Sequence, residues 1–178
     1  MNITENIKSR IARIYVKNLI KEKSLHKTDF SRFYSNSYSF FVLMPEDEKD
    51  FNFAKQVLEF LVSDKKNITV FTHDYRVSLL SPSFRTKVID FGISDLTRLD
   101  LPSKQLINKL KSQRFNVVLD LNREENLFCS YIVGIVDAAI KAGFLKSGSE
   151  RYFNFQFSDS ESKPEISYKN LLNCLQMF

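Results

Sequence analysis

A chain of 178 residues with a 43% apolar share can build one domain with an added arm. No run reaches the ~18 apolar residues of a membrane span. The two cysteines lack metal-ligand spacing, and the charged first residues are not followed by a signal-peptide core. These features predict a reduced, cytoplasmic protein with no metal and no other cofactor.

Charge is unevenly spread. Residues 1–33 hold eight Lys or Arg against three acids, a balance of +5 that equals the formal charge of the whole chain. A basic partner surface, if the chain has one, therefore belongs to this arm.

In chain order, Thr4 can cap a helix running to about Lys23. Ile3, Ile7, Ile11, Ile14, Tyr15 and Leu19 form one apolar stripe, and Lys8, Arg10, Arg13, Lys17 and Lys21 fill the other face. Such a helix packs on its own domain with a solvated basic back, lies on an anionic membrane surface, or pairs with a partner helix. The second reading would place the chain peripheral to the inner membrane. Nucleic acid is not expected, because the arm lacks interleaved aromatics expected to be exposed and any known reader motif. Residues Leu25 to Ser39, His26 among them, read as a connector.

Phe40 to Met44 is the first strand, ended by Pro45. Glu46, Asp47, Glu48 and Asp50 crowd the start of a helix whose core face is Phe51, Ala54, Val57, Leu58 and Leu61. Acids suit a first helical turn, and a carboxylate at a strand's carboxyl end can also serve as a general base. Ile68 to Phe71 is the second strand, closed by Thr72 and His73. Arg76 to Leu80 reads as a short helix and Lys87 to Phe91 as the third strand. Pro102 opens a helix with Leu106, Ile107 and Leu110 inward.

Val117 to Leu121 reads as a strand buried on both faces of a parallel sheet. Asp120 lies near its carboxyl end and Asn122 closes it. Ligands in open α/β sheets collect just beyond such ends. Asp47, His73, Asp120 and Asn122 are accordingly candidate ligand residues. The structural reading for Asp120 is that it bonds the backbone amides of a neighbouring loop. Glu124 and Glu125 are expected in the first turn of a long helix. Leu127, Tyr131, Ile135 and Ala138 continue it at helical spacing, and Gly143 stops it. Tyr152 to Phe157 forms a last strand, and Tyr168 to Phe178 a terminal helix.

The alternation predicts an α/β, Rossmann-like three-layer sandwich with a mostly parallel five-stranded sheet. Residues 1–38 form the arm and connector, and residues 39–178 the domain. Glycine-rich phosphate loops, nucleophilic triads and metal clusters are all missing from the sequence.

Two passages carry a family resemblance, FNVVLDLN leading to AAIKAGF within Phe115–Phe144, and FFVLMPEDEKDF from Phe40. Together they resemble the N-terminal, acceptor-side domain of heptosyltransferase-like GT-B glycosyltransferases, the ADP-heptose:lipopolysaccharide family. The resemblance implies that Asp50 matches the family's proposed base for the acceptor hydroxyl. Lys49 stands where the family has glycine. It also implies a second domain for the nucleotide sugar, and the twenty or so residues after Phe157 cannot supply one. The expected role is therefore non-catalytic: binding a protein partner, a second copy, or a sugar or nucleotide-sugar ligand in envelope metabolism. The alternative is a transferase subunit with Asp50 as base, completed by another chain.

Overall fold

The computed structural model describes residues 3–20, 30–85, 87–161 and 163–178, apart from the side chains of 3–6 and 19–20. In chain order they form α1 (Ile3–Ile20), α2 (Phe33–Asn36), β1 (Ser39–Leu43), α3 (Glu48–Ser63) and β2 (Asn67–His73). A 3₁₀ turn over Asp74–Leu79 leads to α4 (Pro82–Arg85), β3 (Val88–Phe91), α5 (Lys104–Lys111) and β4 (Arg114–Asp120). Then come α6 (Leu127–Ile135), β5 (Asp137–Phe144), β6 (Phe155–Phe157) and α7 (Pro164–Leu175).

Side chains alternate across a strand, and β1 shows what that does to this chain. Phe40 and Val42 face one layer, with Phe51, Leu58 and Leu61 of α3 and Tyr168 and Leu171 of α7. Phe41 and Leu43 face the other, with Leu106 of α5, Ile132 of α6, and Ala12 and Val16 of α1. All four strand residues are fully buried. Each such side chain stabilises the fold by roughly 1.5–3 kcal/mol relative to leaving it in water.

The sheet is six-stranded in the order β3-β2-β1-β4-β5-β6. Every neighbouring pair is parallel. Leu43 at the end of β1 pairs with Phe71 on one side and Asp120 on the other. The strand order reverses between β1 and β4, so a crevice opens beyond their carboxyl ends. The architecture is the Rossmann-like α/β sandwich that the sequence predicts.

The sixth strand is a correction. Helical spacing assigns Val136 to Phe144 to the end of a long helix, yet α6 stops at Ile135 and Val136 is already extended, at φ −67° and ψ 138°. Alanine favours helix locally, but pairing with β4 overrides that preference, with Ile140 beside Val117 and Ala142 beside Leu119. Lys141 closes the helix end, its buried Nζ donating to the carbonyls of Val133 (2.6 Å) and Gly134 (3.1 Å). Gly143 is no helix stop. It makes room for the Phe153 ring, which a Cβ would approach to 2.8 Å. The helix also starts late: Asn126 caps it by accepting from Cys129 N at 3.0 Å, so Glu124 and Glu125 precede its first turn.

The stripe on α1 behaves unexpectedly as well. Ile7, Ile11, Ile14 and Tyr15 are about half exposed, and Ala12 and Val16 make the buried contact. Tyr15 stacks nearly parallel on Tyr131 of α6, with ring centroids 6.4 Å apart. The cap role of Thr4, the helix beyond Ile20, Lys21 and His26 lie outside the described residues and side chains.

Candidate functional site

The crevice at the strand ends is a pocket of about 650 Å³. Four separate turns build it. Met44, Pro45 and Glu46 follow β1, His73 ends β2 with Tyr75 and Arg76 just after it, Phe91 ends β3, and Asn126 to Cys129 open α6. Lys8, Ser9, Ala12 and Arg13 of α1 line the side they share with Leu99 and Asp100.

One wall is aromatic. The His73 ring lies 4.2 Å from that of Tyr75 and 4.8 Å from that of Phe91, and Phe91 lies 4.5 Å from Phe128. The His73 ring is held by its neighbour: Nδ1 sits 2.5 Å from Asp74 Oδ1, which also accepts from Tyr75 N at 2.6 Å. Gly92 admits that carboxylate, because a Cβ there would lie 2.7 Å from Asp74 Oδ2. With Nδ1 committed to Asp74, Nε2 is the ring nitrogen left for a ligand.

The rim carries both signs of charge. Lys8 pairs with Asp100 at 2.6 Å and Arg13 with Glu125 at 2.7 Å, which ties α1 to the loops on either side. Both pairs are exposed, so each contributes about 0–1 kcal/mol. Arg76 donates to the carbonyls of Pro45 and Glu46, fixing the turn after β1. Asn126 Nδ2 donates to Glu46 Oε2 at 3.0 Å.

Of the described residues proposed for a site, the structure puts His73, Lys8 and Arg13 at the pocket and Asp47, Asp50, Asp120, Asn122, Arg10 and Lys17 outside its lining. Asp47 is the N-cap of α3, accepting from Asp50 N at 2.9 Å. Asp50 is 6% exposed and faces α7. Arg123 Nε donates to both its oxygens, at 3.1 and 3.3 Å, and Arg123 Nη1 donates to Ser167 Oγ and Glu161 O. Burial pushes the Asp50 carboxyl above the usual carboxylate range, and Arg123 draws part of that shift back. Asp120 is 1% exposed. It accepts from Lys146 Nζ at 2.9 Å and from Asn122 N and Nδ2 at 3.1 and 2.6 Å. Asn122 Oδ1 in turn accepts from Glu46 N at 3.2 Å, bracing the turn after β1 against the end of β4.

Arg10 and Lys17 of the basic arm are exposed, do not line the pocket and make no ion pair among the described residues. Tyr75, Arg76, Phe91, Asn126 and Phe128 were not legible as site residues. Each is an ordinary turn or core residue until the topology gathers them.

A protein family described as a family of unknown function, DUF6913, matches residues 8–178. Nothing among the curated proteins matches the chain. Among solved structures it is similar to the E. coli heptosyltransferase WaaC with ADP, at 11% identity and a TM-score of 0.47. That similarity covers 76% of this chain and 46% of the other, so the chain spans less than half the length of that enzyme.

Proposed function

We propose that this chain, which belongs to the DUF6913 family of unknown function, is a binding domain for a sugar or nucleotide-sugar ligand, without a transfer reaction of its own. The observation that carries the proposal is the pocket at the switch between β1 and β4. Its volume of about 650 Å³ suits a small ligand, and its position is the usual one for an open α/β sheet. The aromatic wall offers a face to the C–H side of a sugar ring. The mixed rim offers both donors (Lys8, Arg13, Asn126) and acceptors (Glu46, Glu125) to its hydroxyls. The likeness of the FNVVLDLN and AAIKAGF passages to heptosyltransferase-like domains points toward envelope sugars.

The transferase reading, with Asp50 as base, needs Arg123 to release that carboxylate and a partner chain to bring the donor. Its test is Asp50→Asn in a reconstituted pair, where loss of transfer would support it.

Calorimetric titration with free sugars, sugar phosphates and nucleoside diphosphate sugars, ADP-heptose included, tests the binding reading. At least one of them is expected to give saturable heat that weakens in Tyr75→Ala. Absence of heat at millimolar ligand, or heat indifferent to that substitution, would contradict it.

A further inference from the structure

Helix α1 has two faces of different use. Ser9, Ala12 and Arg13 turn toward the pocket, and Ala12 and Val16 are buried. At 100° per residue, Ile7, Ile11 and Ile14 fall on the opposite side. They are 52%, 49% and 60% exposed, in a row at i, i+4 and i+7. Three isoleucines in line are an unusual thing to leave in water, since each prefers an apolar neighbour.

Charge decides among the occupants. Lys8 and Arg13 are already neutralised by Asp100 and Glu125. Arg10 and Lys17 have no such partner among the described residues, and both lie along the same edge of the stripe, two helical turns apart. No Asp or Glu occurs between Ile7 and Asn18. A second copy laid antiparallel on this face would bring Arg10 and Lys17 against Lys17 and Arg10 of its mate, which is repulsive. An extended anionic plane accepts both cations at any spacing, with their long stems reaching up to the headgroups while the isoleucines enter the acyl boundary.

We propose that the outward face of α1 is a membrane-docking surface, with Ile7, Ile11 and Ile14 entering the interface of an anionic bilayer and Arg10 and Lys17 pairing with lipid headgroups. The surface is separate from the ligand pocket, so either can fail without the other. It also revises which bases matter: the two on this face of α1 that make no ion pair among the described residues, rather than the arm as a whole.

Co-sedimentation of the full chain with vesicles tests it, using equimolar phosphatidylcholine and phosphatidylglycerol against phosphatidylcholine alone. Binding is expected to the anionic vesicles only, and to fall as salt is raised. Arg10→Gln and Lys17→Gln should each weaken it roughly fivefold, and together about twenty-fivefold. Ile7→Ser combined with Ile11→Ser and Ile14→Ser should abolish it. Thermal melts should be unchanged in every variant, because the replaced side chains are exposed. Failure to bind anionic vesicles at low salt overturns the proposal. So does equal binding to neutral vesicles. Sedimentation equilibrium showing a dimer that the serine variant dissociates, without vesicle binding, would assign the stripe to a second copy. Preference for an acidic amphipathic peptide over vesicles would assign it to a partner helix.

Discussion

Two polar clusters sit at the carboxyl ends of the same sheet, and they have opposite characters. Beyond β4 and β5, Asp120, Asn122 and Lys146 close on one another, with side-chain exposures of 7% for Lys146 and 1% for Asp120. Beside them Asp50 is clasped by Arg123, and Tyr168 donates its hydroxyl to Leu121 O at 2.6 Å. Beyond β1 and β2 and at the start of α6 the polar groups instead surround a space: Glu46, His73, Arg76 and Asn126 border the pocket. The first cluster spends its charges on itself and fixes loops. The second fixes its backbone through Arg76 and keeps ring faces and an imidazole nitrogen available. Buried charge holds structure here, and partly exposed aromatic surface lines the candidate site.

The largest expected effect falls on the closed side. Lys146→Met leaves the Asp120 carboxylate buried without its cation, and should cost about 3–5 kcal/mol in urea unfolding. A loss below ~1 kcal/mol would mean the pair is not closed as described. Asp50→Asn should cost about 1–3 kcal/mol by stranding Arg123, with ligand affinity unchanged. The same variant has a pH signature. Because burial raises the Asp50 pKa, the folded state holds that proton more tightly than the unfolded chain. The associated stability is full below the ordinary carboxylate pKa of ~4 and is lost as pH rises through the raised value. Asp50→Asn should remove that fall from the stability-against-pH curve.

On the open side the ordering reverses. Tyr75→Ala should move stability by no more than ~0.5 kcal/mol, while ligand affinity drops by roughly 0.5–1.5 kcal/mol as the ring face is lost. The smallest effect belongs to Arg13→Gln. Its exposed pair with Glu125 contributes about 0–1 kcal/mol to holding α1 down, measurable as faster amide exchange in α1.

Much of the fold was legible. Unbroken apolar runs such as Phe40 to Leu43 and Val117 to Leu119 are buried on both faces, and such runs announce themselves. β5 was hidden because Asp137 to Phe144 carries alanines at helical spacing, and its strand state comes from a partner strand whose paired residues lie 23 positions upstream. The site was harder still. Acids at Asp47, Asp50 and Asp120 look like ligands in sequence, yet each is consumed by a cap, an arginine or a lysine that only the fold brings near. The pocket residues give no local signal, because they come from four separate turns and none is unusual alone. His73 was visible only by its place at a strand end.

The most direct test of the contrast between the two clusters is a titration of ¹⁵N-labelled protein with the sugar phosphates and nucleoside diphosphate sugars, followed by amide and imidazole resonances. The account predicts shifts confined to His73, Tyr75, Asn126, Phe128 and the pocket side of α1. Shifts centred on Asp50, Arg123 and Ser167, or none at millimolar ligand, would contradict it.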